Sequence, residues 1–377
     1  MSTNSALTFK ISHTSQDSAA RTGCLFTPHG VIRTPVFMPV GTQATVKAVK
    51  PQELEELGAE ILLSNTYHLM LRPGEEIVAQ AGGLHRFMAW EHPILTDSGG
   101  FQVMSLAALR RISDEGVAFR SHLSGEALFL SPERAIEIEN ALGADIIMAL
   151  DECPPYPCSP TEARTSAERT LRWAQRSLRA HQRRADQALF GITQGSIYPE
   201  VRRFSAQETA ALPFDGYAIG GLSVGEPKAC FGPLLDETLP WLPGDKPRYV
   251  MGVGTPDLIL EGVLRGVDMF DCVYPTRIAR NGSAMSRYGR LNLRNARWER
   301  EFGPMDPECD CFVCRTFSAA YLHHLVVCKE ILGAELLSYH NLYFLTHFMA
   351  ELRKAIEADR LLLFAQAFLE TYHQGLS

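Results

Sequence analysis

Eight short apolar runs, separated for the most part by helical signals, constrain the fold of this chain more than any other feature. The runs cover residues 35–40, 61–64, 94–96, 146–150, 189–193, 217–220, 248–251 and 267–270. Each has strand length and is bounded by turn or helix signals. Between them, Pro51 stands at a first-turn position of a helical stretch over 51–57. Ser131 followed by Pro132 reads as an N-cap with proline at the first helical position, and Gly143 as the stop. Residues 161–184 form an amphipathic stretch with Ala167, Leu171, Ala174 and Leu178 on one face. A further helix starts within 255–262. Strand–helix alternation repeated eight times predicts an α/β fold, a (β/α)8 TIM barrel, rather than an open sheet.

The polar residues reinforce closure. Asp97, Asp151, Gln194, Gly221, Gly252 and Asp271 each lie at or just past the C-terminal end of a run. In a barrel those ends converge on one face, the face that carries active sites. An open sheet would spread them along a crevice. From about residue 303 the chain changes character to a cysteine cluster followed by His- and Leu-rich helices. The expected organisation is a catalytic barrel over 1–300, with its basic segment, and a small metal-binding subdomain with helices over 301–377. The Leu-rich stretch 359–375 is expected to be a helix packed on that barrel.

Cys309, Cys311 and Cys314 crowd three thiols into six positions, a pattern that suits zinc in a closed tetrahedral site. Spacing leaves the fourth ligand open among His323, His324, Cys328, His340 and His347. The nine cysteines are an odd number, which favours a reducing compartment over a disulfide frame. Cys24, Cys158, Cys230 and Cys328 are expected to pack in the core. No stretch approaches the roughly 18 apolar residues of a membrane span. The start, Met1 to Ser5, has no basic region followed by an apolar one, so no signal peptide is expected.

Two carboxylates stand out. Asp97 lies in Thr96-Asp-Ser-Gly-Gly-Phe-Gln102, where the glycines permit close approach to a ligand and Phe101 can stack a base. Asp271 ends the last run, which Pro275 terminates. Arg277, Arg280, Arg287, Arg290, Arg294, Arg297 and Arg300 follow, with Glu299 the one acid among them. An arginine run alone is most often a solvated loop. The net charge is −7, so a nucleic acid would have to be held by this local patch. Paired carboxylates serve glycosidic chemistry: one attacks the anomeric carbon and the other moves the proton of the leaving group.

At this point the residues match a family. Ser64 to Leu69, Asp97 to Gln102, Asp151 to Cys153, Gly191 to Ser196, Gly220 to Glu226, Tyr249 to Gly252, Asp271 to Arg277 and the cysteine cluster with His340 span residues 35 to 340. In these motifs the chain resembles bacterial tRNA-guanine transglycosylases, also called queuine tRNA-ribosyltransferases. The resemblance implies exchange of guanine at the wobble position of tRNAs with GUN anticodons for the deazaguanine preQ1. It implies that Asp271 is the nucleophile toward ribose C1′ and Asp97 the acid and base. Asp151 would read the Watson–Crick edge of the base, and Gln194 with the Gly221 N–H would bind its exocyclic oxygen. The Leu222 carbonyl, backed by Glu226, would meet the aminomethyl group of preQ1, and Phe101 and Met251 would sandwich the base. Arg277 and Arg280 would contact tRNA. The zinc ligands implied are Cys309, Cys311, Cys314 and His340.

The resemblance further implies a cytoplasmic homodimer in which the zinc subdomain takes part in the interface. Phe101 stands where some relatives carry tyrosine, which keeps stacking and drops a hydroxyl. Cys153 and Val224 stand where queuine-using relatives carry another pair, which favours preQ1. A non-catalytic tRNA-binding subunit of the same fold is the competing reading, and the presence of both Asp97 and Asp271 argues against it. A zinc hydrolase would need His and carboxylate ligands at the strand ends, which the thiol cluster does not supply.

Overall fold

A computed structural model describes residues 6–106 and 110–375 of the chain. Eight parallel strands form its centre: β1 (Val36–Pro39), β2 (Leu62–Asn65), β3 (Ile94–Asp97), β4 (Ile146–Met148), β5 (Ala188–Thr193), β6 (Gly216–Ile219), β7 (Arg248–Val250) and β8 (Met269–Cys272). The order β1-β8-β7-β6-β5-β4-β3-β2 places every strand beside its sequence neighbours. A parallel bridge from Val40 to Leu63, with the Gly41 N–H donating to the Leu63 carbonyl at 2.6 Å, joins the two ends into a ring. The eight apolar runs are these eight strands. Two joins are thin: the β1–β2 bridge, and the β3–β4 ladder, whose one registered pair is Ile146 with Leu95.

The runs read as continuous apolar stretches because both faces are buried. Side chains alternate between the two faces at a period of two. Met38, Leu63, Leu95, Ile146, Phe190, Ala218, Tyr249 and Met269 fill the barrel interior. Their neighbours Phe37, Leu62, Ile94, Ile147, Leu189, Tyr217, Val250 and Phe270 face the helical layer. Each large apolar side chain so buried contributes on the order of 2 kcal/mol.

The helices begin and end where their caps dictate. In α1 (Pro132–Leu142) the Ser131 hydroxyl accepts the Arg134 N–H at 3.2 Å, and Gly143 closes the helix at φ +76°. In α2 (Pro160–Ala180) Ser159 and Glu162 cap each other reciprocally. Its buried stripe includes Ala163, Ala167, Thr170, Trp173, Ala174 and Ser177. Leu171 is half-buried at the edge of that stripe, and the helix stops at Ala180, short of the expected residue 184.

Two antiparallel sheets went unread in the sequence. Thr8–Thr14, Arg21–Thr27 and Gly30–Thr34 form one, and Arg111–Ile112, Val117–Arg120 and Ala127–Leu130 the other. Their strands are partly exposed, so they lack the apolar continuity that marks the barrel strands. The first sheet closes the N-terminal end of the barrel. Its Leu25 and Ile32 join the interior cluster, and Arg21 donates to both oxygens of buried Asp268 at 2.9 and 2.7 Å.

Past the barrel, α3 (Tyr274–Arg280) and the hairpin Ser283–Ser286/Gly289–Asn292 pack on the long α4 (Ile331–Glu357). Asn341 of α4 ties them together, accepting the Met285 N–H at 2.7 Å and donating to the Pro275 carbonyl at 2.9 Å. The final α5 (Leu361–Gln374) buries Leu361, Ala365 and Phe368, and Phe368 meets Phe348 at 4.6 Å between ring centres. None of the four cysteines expected in the core is fully buried: Cys24, Cys158 and Cys230 are half-buried and Cys328, at the end of a helix, is exposed. Cys153 is the buried thiol outside the C-terminal cluster. Among the described residues no helix is long and apolar enough to cross a membrane.

Candidate active site

The C-terminal strand ends bring the acids together. Asp97, the last residue of β3, is buried and accepts three hydrogen bonds. Asn65 Nδ2 and Gln102 Nε2 donate to Oδ2 at 2.6 and 2.7 Å, and the Thr66 N–H donates to Oδ1 at 2.9 Å. Burial nevertheless pushes its carboxyl up to about 6, against the pull of these donors, and the charge of Asp271 adds to the rise. Asp271, in β8, accepts the Tyr249 hydroxyl at 2.5 Å and the Gly252 N–H at 2.8 Å, both on Oδ1. Its Oδ2 has no partner among the described residues. Burial raises this carboxyl too, while the two donors oppose the rise.

Asp151 follows β4 and is buried. It accepts the Ser98 hydroxyl at 3.0 Å and Gln194 Nε2 at 2.7 Å. Burial holds its carboxyl up at about 6. Gly100 lets this acid approach, since a Cβ there would lie 2.5 Å from the Asp151 carbonyl. The Gln194 amide lies against Gly221, where a Cβ would fall 2.4 Å from Oε1 and the backbone has φ +66°. That Gln194 oxygen is buried and has no partner among the described residues.

The next turn has a defined direction. The Ser223 N–H donates to the Glu226 carboxylate, and the Val224 N–H donates to it at 2.9 Å. Because N–H and C=O of one peptide point opposite ways, the Leu222 carbonyl faces away from Glu226. Phe101 and Met251 flank the site, one beside Gly100 and the other beside Gly252. Phe101 is 50% exposed on the helix Gly100–Leu106, and Met251 packs on the interior cluster.

A separate cluster lies past the barrel. The Sγ atoms of Cys309, Cys311 and Cys314 stand 3.7, 3.4 and 3.5 Å from His340 Nδ1. Tetrahedral coordination with metal–sulfur and metal–nitrogen bonds of ordinary length predicts a spacing of about 3.6 Å, so these four residues can hold a metal ion. His340 Nε2 faces the Met285 carbonyl at 2.8 Å, which fixes the tautomer that leaves Nδ1 free to ligate. His29, His85 and Asp145 are also close, but with nitrogen–oxygen distances of 2.8 and 3.1 Å and rings stacked at 3.6 Å. Those lengths fall below the roughly 3.3 Å expected across a tetrahedral metal and suit hydrogen bonds to a shared carboxylate.

Comparison with known proteins agrees with the motifs. A family profile described as "Queuine tRNA-ribosyltransferase" matches residues 16–374. Proteins of that name from Halalkalibacterium halodurans and Moorella thermoacetica are each 60% identical to the chain, over 97% and 98% of it and 97% and 99% of their own lengths. The protein of that name from Pelotomaculum thermopropionicum is 57% identical over 97% of this chain and 99% of its own length. The chain belongs to the queuine tRNA-ribosyltransferase family. It is thereby a pentosyltransferase.

Within this queuine tRNA-ribosyltransferase fold the arginines divide. Arg277 and Arg280, one helical turn apart on α3, are exposed and have no acidic partner among the described residues. Arg294 donates to the Asn281 carbonyl at 3.1 Å and Arg290 to the Ser283 hydroxyl at 2.8 Å, so both sit beside the end of α3. Arg287 differs: it reaches Glu351 at 2.9 Å and Glu308 at 3.5 Å.

Three residues that serve the site were not singled out from sequence. Asn65 lies inside a recognised motif, and its signal is an amide at a strand end. Tyr249 is a tyrosine inside a barrel strand, whose hydroxyl needs a partner once buried. Arg202 is fully buried in the helix Pro199–Ala210 and gives no sequence signal beyond its place on that helix's buried face.

Proposed function

We propose that the chain exchanges guanine at the wobble position of GUN-anticodon tRNAs for preQ1, through a covalent link between Asp271 and ribose C1′. The observation that carries this reading is the pair of carboxylates at the barrel mouth, Asp97 raised in part by the charge of Asp271 and each bonded by its own donors. Asp271 attacks C1′ through its unpartnered oxygen as the C1′–N9 bond breaks. Asp97, held near 6, gives its proton to N9, and guanine leaves neutral. The incoming base then passes its N9 proton to Asp97, bonds to C1′ and expels Asp271. Two displacements retain the ribose configuration.

Asp151, Gln194 and the Gly221 N–H read the edge of the extruded base, and Phe101 and Met251 stack on it. The Leu222 carbonyl, turned away from Glu226, accepts the aminomethyl ammonium of preQ1. Cys153 and Val224 limit the room beyond it. Arg277 and Arg280 bind phosphates of the anticodon loop.

The metal we assign to Cys309, Cys311, Cys314 and His340 is zinc, on the strength of three thiolates, one imidazole and tetrahedral spacing. It serves structure, because its four ligands leave no open position. The working division is a barrel over 1–300 and a zinc-bearing segment over 301–377. Exposed Phe302, Phe312, Val327 and Ile331 give that segment an apolar surface for a homodimer. The assigned compartment is the cytoplasm, where thiols stay reduced.

The test is incorporation of labelled guanine into unmodified GUN-anticodon tRNA by the native chain and by Asp271→Asn. Label entering with the native chain alone establishes exchange and the nucleophile together. No label, with tRNA still bound, moves the reading to a non-catalytic binding subunit.

A further inference from the structure

We infer that Arg202 is a positioning residue for base recognition: it turns the Gly220–Gly221 peptide so that the Gly221 N–H faces the bound base. The inference rests on the base-exchange reading above and adds to it a residue that touches no substrate.

Arg202 is a cation that feels the Glu226 carboxylate only at a distance, not as an ion pair. It is fully buried, and no carboxylate pairs with it among the described residues. Burial lowers its guanidinium to about 10, so it stays charged at neutral pH. A buried charge of this kind is costly unless its donors are satisfied. Here each of its three nitrogens donates to a backbone carbonyl. Nε donates to Ser196 at 2.8 Å, and the two terminal nitrogens donate to Gly220 at 2.6 Å and Gly221 at 2.8 Å.

Those carbonyls belong to the two loops that frame the base pocket, one after β5 and one after β6. The Gly220 carbonyl and the Gly221 N–H are opposite ends of one planar peptide. Arg202 approaches from the helix Pro199–Ala210, which lies outside the barrel wall. Drawing the carbonyl outward sends the N–H inward, to the side of Asp151 and Gln194. Among the described residues that N–H donates to no one. Gly221 has the φ of +66° that this orientation needs, and a side chain there would meet Gln194 and Arg202 at 2.4 and 3.3 Å. A donor held in place before the base arrives loses no reorganisation energy on binding.

The test uses Arg202→Met and Arg202→Lys in the full chain, with zinc content and thermal melting as checks of folding. Two measurements are read: KM for guanine against KM for tRNA, and the inhibition constants of guanine and 6-thioguanine. The sulfur analogue keeps N1–H and the 2-amino group, so its bonds to Asp151 are constant and the exocyclic acceptor alone is weakened. The expected result for Arg202→Met is a KM for guanine raised about tenfold, an unchanged KM for tRNA, and a guanine-over-thioguanine preference that shrinks toward one. Arg202→Lys, which keeps the charge and one or two of the three bonds, is expected in between. Equal weakening toward both bases, or no change in KM for guanine, overturns the inference. If neither variant folds, the native chain bound to guanine decides, and a Gly221 nitrogen more than 3.5 Å from the base oxygen overturns it. A native chain that exchanges no base would sink the parent reading instead, which keeps the two failures distinct.

Discussion

Two regions of this molecule are rich in arginine, and they use it in opposite ways. Along α2 four of the five arginines have an acidic partner: Arg164 with Glu168 at 2.7 Å, Arg169 with Glu152 at 2.5 Å, Arg172 with Asp114 at 2.7 Å and Arg176 with Glu133 at 2.6 Å, leaving Arg179 alone without one among the described residues. Around α3, Arg277, Arg280, Arg290, Arg294 and Arg297 have none among the described residues. Arg297 lies over the Trp298 ring at 4.4 Å, and the others meet neutral groups or solvent. A chain with net charge −7 thus keeps a small set of uncompensated cations on and around α3, the helix that follows Asp271 in the chain. The lesson is that a count of arginines says little about polyanion binding, whereas a count of unpaired ones says much.

The sharpest way to break the comparison is to separate grip from chemistry. Asp271→Asn is expected to lose base exchange by about a thousandfold or more while tRNA binding persists, measured by label incorporation beside filter binding. Replacing Arg277 and Arg280 by alanine together should raise KM for tRNA about tenfold. It should also flatten the salt dependence of binding by about 0.7–0.9 in slope for each phosphate left without its cation. The matched control on α2, Arg164→Ala with Arg172→Ala, should leave both quantities alone. An equal loss from the two pairs would end the distinction drawn here.

The carboxylates sharpen the contrast through pH. Asp97 and Asp151 have folded values near 6, above their unfolded ones, so the folded chain holds protons that the unfolded chain gives up. Their contribution is full below about pH 4 and is lost as pH rises through 6, on the order of 2–3 kcal/mol for each group. Glu133, with Arg176 beside it, is depressed to about 2, so its contribution is present above pH 4.5 and lost as pH falls through 2. It is also more exposed and more screened. Thermal melts across pH 4–8 should show that Asp97→Asn flattens the decline from pH 4 to 6. Glu133→Gln should act only on the acid side. The smallest effect belongs to Arg287→Ala, which should cost about 1 kcal/mol or less and leave KM for tRNA unchanged, because Glu351 and Glu308 already occupy that guanidinium.

Much of the fold was legible because the barrel strands are buried on both faces and so announce themselves as apolar runs. The caps at Ser131 and Gly143 were legible because capping is local chemistry. The N-terminal sheet and the sheet over 111–130 were not, since half-exposed strands carry weak periodicity. At the candidate site, Asp97, Asp151 and Asp271 could be found from strand ends and motif. Arg202 could not, because its value lies in three backbone carbonyls, of Ser196, Gly220 and Gly221, and carbonyls carry no side-chain signal. Likewise Arg287 looked like one more member of a basic run until Glu351, 64 residues away, was seen beside it.

The two thin joins of the barrel flank one pair of strands. The strands β2 and β3 pair with each other over four residues, yet β2 meets β1 through a bridge and β3 meets β4 through one registered pair. These strands therefore form a stave of the barrel, fastened firmly within itself and lightly to its neighbours. Native-state hydrogen exchange should find their amides opening together, at a lower free energy than those of β5 and β6. Asp97 and Asn65 ride on that stave, while Asp151 and Asp271 stand on its neighbours' side. Asp97 would then breathe with one part of the wall and Asp271 with another, so that loosening of two short seams would move the two carboxylates relative to each other.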